Sequence, residues 1–204
     1  LSGLEAMEVT IEVDNFDGGQ NSRFSIVGLP DNAVKESQER VQSALRVNGY
    51  KAPFRSVVVN LAPADVRKEG SGFDLPMAVG VMLSFEFLKI DTPDRYMFVG
   101  ELGLDGSILP VKGVLPISVK AREMGYEALF VPAENAREAA VVNKLKVYGV
   151  SHLNDIVGFF NGSLSIEPTH VNTREEFYSH LFCYDIDFDE VRGQENVKRA
   201  FEVA

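Results

Sequence analysis

The sequence predicts a mixed α/β (α+β) domain, in which a mixed sheet is flanked by helices. Segments with the alternation or β-branched content of strands interleave with helix-like segments over the first 160 residues. A hydrophobic content of 45% in 204 residues is enough to fill a core. Interleaved strands and helices are typical of this class.

The first third of the chain predicts a hairpin, a helix and a buried strand. Residues 6–14 and 22–28 alternate apolar and polar side chains around the turn-rich DGGQN, which predicts a β-hairpin. A helix is expected from the Pro30-Asp31-Asn32 segment to about Val47, with Gly49 ending it. The run RSVVVNLA at 55–62 predicts a short buried strand.

The middle of the chain continues this alternation. The run at 75–88 is apolar nearly all round, which predicts a buried helix. Further strands are predicted at 96–102, 107–111, 128–132 and 145–150, with LDG as the turn between the first two. Further helices are predicted from Pro116 to about Met124, at 134–142 and at 152–160.

The pattern changes after residue 160. We expect residues 1–160 to form one domain, and the polar, aperiodic stretch 161–183 to be a linker. Residues 184–204 end inside a helix-like pattern, which indicates the truncated start of a second domain. The chain also begins with Leu1, so we expect both ends to lie inside a longer protein.

Composition excludes several classes of protein. No apolar run is long enough for a membrane span and no signal-peptide layout occurs, so the cytoplasm is the expected location and no membrane partner is expected. One cysteine, Cys183, cannot form an intramolecular disulfide, and His152, His170 and His180 lack the spacing of zinc ligands. No metal site is therefore expected.

The charge is negative overall but unevenly distributed. A net charge of −10 argues against a protein that coats DNA, since such proteins neutralise phosphates with Lys and Arg. Residues 20–70 nevertheless hold eight basic and five acidic side chains, which allows a basic face on an acidic body. On the first helix, Lys35, Glu36, Glu39 and Arg40 are expected to form a solvated face with i,i+4 pairs.

The stretch RKEGSGFDLPMAVG at 67–80 could present a nucleophile, bind an anion or form only a turn. Gly70 and Gly72 indicate unusual dihedrals or a lack of room for a side chain. Asp74 is expected to be a helix N-cap.

The basic residues before this helix have two possible roles. Arg67, Lys68 and Glu69 form either a solvated ion-pair cluster or, through the two cations, a contact for DNA phosphate or another anion. Lys51 and Arg55 are further candidates for such a contact. Neither a GxGxxG nor a GxxxxGK[ST] motif occurs, so the sequence itself provides no nucleotide-phosphate cradle.

Two motifs carry a resemblance to a known fold. VGELGLDGSILPVKG followed by ALFVPAENAREA, together with KEGSGFDLPMA, resembles the proteolytic domain of Lon-type proteases. Aligned without gaps, the nucleophilic serine of that pattern falls on Gly72 and the catalytic lysine on Ile117. Glycine and isoleucine supply neither a nucleophile nor a base, so the resemblance implies that ordinary Lon-type proteolysis is absent. The alternative is a displaced dyad of Ser71 and Lys112.

A second resemblance covers about 150 residues. FSIVGLPDNAVKESQERVQSAL, VVVNLAPADVRKEGSGFDLPMAVG, GELGLDG and FVPAENAREAA are similar to the ComM/YifB family of magnesium-chelatase-like AAA+ ATPases. This implies a non-catalytic N-terminal domain with a Lon-like fold of the ribosomal-protein-type βαβ superfold. It would contact DNA, assist assembly or couple to the motor.

The resemblance also implies properties of the longer protein. FDEVRGQENVKRA resembles the entry to an AAA+ module, with Val191, Gly193 and Gln194 beside the adenine pocket. The parent is then expected to be a hexameric, ATP- and Mg²⁺-dependent motor, with the helicase-like DNA branch migration of natural transformation (competence) as the associated role. The described motifs imply no cofactor for this fragment. A purely structural ring-building domain without DNA affinity is a further alternative.

Overall fold

A computed structural model describes residues 6–51 and 55–172, and confirms the predicted mixed α/β class. The strands are β1 Thr10–Asp17, β2 Phe24–Val27, β3 Arg55–Ala62, β4 Tyr96–Phe98, β5 Glu101–Leu102, β6 Ile108–Leu109, β7 Ala128–Pro132 and β8 Lys146–Val150. The helices are α1 Asn32–Val47, α2 Asp74–Ser84, α3 Val114–Glu123, α4 Ala136–Ala139 and α5 Leu153–Phe160.

The first sheet has the order β1-β3-β2, so the predicted hairpin of β1 with β2 is wrong. Strand β3 lies between them, antiparallel to β1 and parallel to β2. The side chains of β3 are buried or partly buried on both faces beyond its first residue, whereas β1 alternates between exposed and partly buried positions. Because the most apolar strand gains most from burial on both faces, it takes the centre of the sheet. Helix α1 provides the crossover from β2 to β3.

The second sheet is parallel, with the order β4-β7-β8. Strands β5 and β6 form a separate antiparallel pair joined by the predicted LDG turn. The predicted strand 96–102 is therefore divided at Val99 and Gly100 between two sheets.

Local signals set several helix ends. The Asp31 carboxylate accepts a hydrogen bond from the N–H of Val34 at 2.8 Å and caps α1, and Gly49 follows its end with a φ of +87°. Helix α2 ends at Ser84, earlier than predicted, because Glu86 takes a φ of +59° and the N–H of Phe87 bonds the carbonyl of Met82. Helix α4 is also shorter than predicted.

Helix α2 lies in the main core, as its apolar sequence predicts. Leu75, Met77, Ala78 and Met82 are fully buried. Gly80 allows a close approach to β1, because a Cβ there would lie 2.7 Å from a methyl group of Val13. The helix therefore fixes the loop before it against the first sheet.

The described chain continues past the predicted domain end at residue 160. Ile166 packs against the main core, and the N–H of Thr169 donates to the carbonyl of Val147 at 2.8 Å. Contacts divide the chain into Leu1–Val171 and Asn172–Ala204, and nearly all of the second unit lies outside the described residues, as does the predicted AAA+ entry. Within the described part, no helix combines the length and apolar character needed to cross a membrane.

Candidate functional site

The loop between β3 and α2 is held at both ends by backbone hydrogen bonds. The N–H of Lys68 donates to the carbonyl of Leu29 at 3.1 Å, and the carbonyl of Lys68 accepts from Asp31 at 3.0 Å. Further along, the N–H of Gly100 donates to the carbonyl of Gly72 at 3.1 Å. The loop is thus attached to the end of β2 and to the chain between β4 and β5.

Lys68 is buried and therefore cannot form the predicted DNA or anion contact. Its side chain is only 2% exposed, and its ammonium group donates to the carbonyl of Pro63. A buried, hydrogen-bonded ammonium group cannot contact a phosphate without breaking this arrangement. The prediction of a surface role for Lys68 is therefore wrong.

The other three basic candidates are exposed but do not form one patch. Arg67 makes an ion pair with Glu69 at 3.2 Å, with side chains that are 70% and 66% exposed. Arg55, at the start of β3, donates to the side-chain oxygen of Asn15, and Lys51 precedes it. Arg67 follows the other end of β3, whose eight residues span roughly 23 Å. The cations are thus distributed along the sheet.

The two glycines of the loop differ. Gly70 has a φ of +89°, as predicted for a residue that requires unusual dihedrals. Gly72 has no positive φ, and a Cβ there would lie 3.8 and 3.9 Å from methyl groups of Val99 and Val111, an ordinary contact distance. The expectation that Gly72 lacks room for a side chain is therefore wrong, and the backbone there could carry a larger residue.

Gly72 and Ile117 line the same cavity of about 1080 Å³, which we call the Gly72 cavity. Ser71, Glu101 and Lys112 also line it. The two positions that the Lon pattern assigns to nucleophile and base are 45 residues apart in sequence, yet the fold brings them to one space. At these two positions the chain carries a glycine and an isoleucine.

One wall of the Gly72 cavity is held by the motif FVPAEN. The side-chain oxygen of Asn135 accepts from the N–H of Val111 at 2.9 Å, and its NH₂ group donates to the carbonyl of Val111 at 3.0 Å. The Glu138 carboxylate accepts from the N–H of Leu115 at 3.0 Å. These bonds fix the segment that carries Lys112 and the start of α3.

Ser71, the alternative nucleophile, is bonded to a carboxylate. Its hydroxyl donates to Glu101, and among the described residues no hydrogen bond joins it to Lys112, whose side chain is exposed. The sequence assigned no role to Glu101. Its signal is a carboxylate inside the otherwise apolar segment YMFVGEL.

Asp74 is an ion-pair partner and not the predicted N-cap. Its fully buried carboxylate accepts from Arg40 Nε at 2.6 Å and Nη2 at 3.1 Å, and from the N–H of Leu102 at 3.1 Å. No side-chain capping bond occurs at the start of α2. Arg40 is likewise removed from the predicted solvated face, although its pairing with Glu36 at 3.9 Å is confirmed. The hydrogen bond to Asp74 raises the pKa of Arg40, against the opposing effect of burial.

Residues 11–135, which include Arg40, Gly72, Asp74, Lys112 and Ile117, match the family model described as subunit ChlI of Mg-chelatase. The chain belongs to this family. The match covers more than half of the 204 residues.

Two bacterial proteins are similar to the chain over nearly all its length. It is 37% identical to the competence protein ComM of Haemophilus influenzae, over 99% of this chain and 39% of that protein. It is 33% identical to YifB of Escherichia coli, over 98% of this chain and 38% of that protein. The chain thus spans about two fifths of the length of these relatives, and the predicted similarity to ComM and YifB is confirmed.

A weaker similarity connects this ChlI-family chain with Lon proteases. It is 23% identical to Lon protease 2 of Bacillus subtilis, over 70% of this chain and 26% of that protein. This similarity agrees with a Lon-like fold. The predicted adenine-pocket residues Val191, Gly193 and Gln194 lie outside the described residues.

Proposed function

We propose that this chain forms a non-proteolytic, Lon-like domain of a ComM/YifB-type AAA+ ATPase. In this proposal the domain serves assembly, and DNA contact or coupling to the motor. The main observation in support of a non-proteolytic domain is that Gly72 and Ile117 line one cavity. The glycine and the isoleucine at the two dyad positions supply neither a hydroxyl to attack nor an amine to accept its proton.

The proposal for the longer protein rests on its relatives. Since one relative is named a competence protein, we propose an ATP- and Mg²⁺-dependent, hexameric motor that processes DNA in the cytoplasm, with branch migration as its task. Val191, Gly193 and Gln194 would then lie at the adenine pocket. Measuring ATP hydrolysis by the full-length protein, with and without branched DNA, tests this part.

Peptidase activity is the direct test of the first part. The chain is incubated with an unstructured protein such as casein, beside the variants Ser71→Ala, Lys112→Ala and Glu101→Gln. We expect no cleavage above the buffer control in any of them. Cleavage that disappears in Ser71→Ala would overturn the proposal and support the displaced Ser71/Lys112 dyad.

DNA contact is tested separately from proteolysis. Fluorescent single-stranded and duplex oligonucleotides are titrated with the chain at low and moderate salt. If Arg67, Arg55 and Lys51 contact phosphates, each alanine variant lowers affinity and reduces the slope of log K against log salt by up to about one.

A matched control separates contact from net charge. Arg122 is exposed on α3, outside the candidate set, so Arg122→Ala makes the same charge change. We expect it to alter affinity less than Arg67→Ala does. Absence of binding at low salt would contradict the DNA contact and leave assembly, as in a purely structural ring-building domain.

A further inference from the structure

The Gly72 cavity lies beside β1 and along the edge of β4. Consecutive residues 6–11, which lead into and begin β1, line it, and so do consecutive residues 96–99, which form β4 and its end. Because successive side chains of a strand point to opposite faces, the consecutive lining residues of β4 mean that the cavity meets that strand at its edge. Within β1 the lining residues are Thr10, Ile11 and Val13. One face of α2, with Pro76, Val79, Gly80 and Leu83, forms a third side.

Both strand edges are open. In the described residues, β1 and β4 are the outer strands of their sheets and each pairs on one side only. The N–H of Val99 donates to the carbonyl of Phe130 on β7 at 3.0 Å. Since consecutive N–H groups of a strand point to opposite sides, the N–H of Phe98 points away from β7, toward the open edge. An open edge with unpaired backbone groups is a template for another strand.

The charges around the Gly72 cavity favour a positively charged ligand. Among the described residues that line it are four carboxylates, Glu8, Glu69, Asp94 and Glu101, and one cation, Lys112. Arg67 pairs with Glu69, but the balance remains negative. Such a lining repels DNA phosphate and attracts lysine or arginine. A volume of about 1080 Å³ slightly exceeds the roughly 300–1,000 Å³ range of small-molecule pockets, so the cavity suits a longer ligand.

We propose that the Gly72 cavity binds an extended polypeptide segment by strand addition, without cleaving it. The segment lies along α2, between β1 and the open edge of β4. Its apolar side chains alternate with lysine or arginine, so that one set packs against Val79, Leu83 and Met97 while cations meet the carboxylates. Strand addition supplies backbone hydrogen bonds, and alternate side chains supply selectivity. The absence of cleavage rests on the proposed function, whereas the binding of the segment does not.

A defined peptide tests this inference. The probe is a fluorescein-labelled peptide of alternating valine and lysine, about eight residues long, since strands commonly have 3–10 residues. Fluorescence anisotropy is recorded as the 204-residue chain is added. We expect saturable binding that weakens about tenfold or more when alternate amides of the peptide carry N-methyl groups, because methylation removes the donors needed for strand pairing. Replacing the lysines with glutamates is expected to weaken binding as well.

Variants of the chain locate the peptide. Gly72→Leu fills the cavity at a position with no positive φ and with room for a Cβ, so the fold should persist while affinity falls about tenfold or more. Circular dichroism checks the fold. Lys112→Glu should tighten binding of the basic peptide, whereas Lys89→Glu, the same change at an exposed lysine outside the cavity lining, should have less effect.

Three results would overturn the proposal. One is the absence of binding at millimolar chain concentration. Another is equal affinity for the methylated and unmethylated peptides, which would show charge attraction without strand pairing. The third is undiminished binding to Gly72→Leu with an unchanged circular dichroism spectrum, which would place the peptide elsewhere.

Discussion

Two ion pairs lie on either side of the glycine loop, and the same kinds of charged group serve different purposes in them. Arg40 and Asp74 meet at 2.6 Å with side chains that are 20% and 0% exposed. Arg67 and Glu69 meet at 3.2 Å with side chains that are 70% and 66% exposed. Asp74 of the first pair also accepts a hydrogen bond from the N–H of Leu102. The pair therefore connects α1, α2 and β5. The second joins neighbours on the loop surface.

The difference teaches that burial, more than the chemical identity of a pair, sets its effect on stability. Removing one member of a buried pair leaves a charge that water cannot fully solvate. Removing one member of an exposed pair leaves a charge that water solvates at once. A third carboxylate, Glu8, is intermediate in burial between Asp74 and Glu69, and it accepts a hydrogen bond from the partly buried Tyr126. These three carboxylates form a series that mutation can test.

The largest effect is expected for Asp74→Ala. This change leaves the Arg40 guanidinium and the N–H of Leu102 without their buried acceptor. Since Arg40 is 20% exposed, the loss falls at the lower end of the range for broken buried pairs, about 3 kcal/mol in the free energy of unfolding. Urea unfolding followed by circular dichroism measures it.

A double-mutant cycle tests whether this loss of stability comes from the interaction between Arg40 and Asp74. We expect Asp74→Ala together with Arg40→Ala to cost less than the sum of the single changes, because the double variant buries no unpaired charge. Arg40→Lys keeps the charge but not the two-pronged donor, so it should also destabilise. A loss below about 1 kcal/mol for Asp74→Ala would show that the buried pair behaves as an exposed one.

A smaller effect, about 1 kcal/mol near neutral pH, is expected for Tyr126→Phe, which removes the hydrogen bond to Glu8. Burial, followed by the hydrogen bond and charge of Glu8, raises the pKa of Tyr126 from 10.0 to about 12. The folded state therefore holds this proton more tightly than the unfolded state. The resulting stability is complete below pH 10 and is lost as the pH rises toward 12.

Urea unfolding at a series of alkaline pH values checks the sign of this effect. The difference in stability between the parent chain and Tyr126→Phe should shrink from pH 10 to pH 12. A difference that grows with pH would mean that ionised Tyr126 is favoured by the fold, contrary to its contact with Glu8.

Features that depend on neighbouring residues could be predicted from the sequence. The start of α1 in the Pro30-Asp31-Asn32 segment, its end before Gly49 and the bounds of β3 and β7 all agree with the prediction. Each depends on a few consecutive side chains. The hairpin of β1 with β2 failed because a distant third strand competes for both edges, and no local signal records that competition.

The candidate site was predictable only in part, for a related reason. A carboxylate at the start of a helix has the same local sequence whether it caps that helix or pairs with an arginine 34 residues away. Lys68 likewise stands in a polar stretch, yet its ammonium group turns inward to the Pro63 carbonyl. In contrast, the motif alignment singled out Gly72 and Ile117, and the fold brings both to the lining of one cavity.

The smallest effect is expected for Glu69→Ala. Both side chains of its pair with Arg67 are more than half exposed, so we expect a change in the free energy of unfolding of about 0.5 kcal/mol or less, shrinking further as salt is added. The measurement is urea unfolding at low and high ionic strength, beside Asp74→Ala as the buried counterpart. A loss above about 1 kcal/mol that persists in high salt would break the comparison, because burial would then not separate the two pairs. The glycine loop would have to transmit strain from its exposed end to α2, and Arg67 could not be treated as a free cation in the DNA titration.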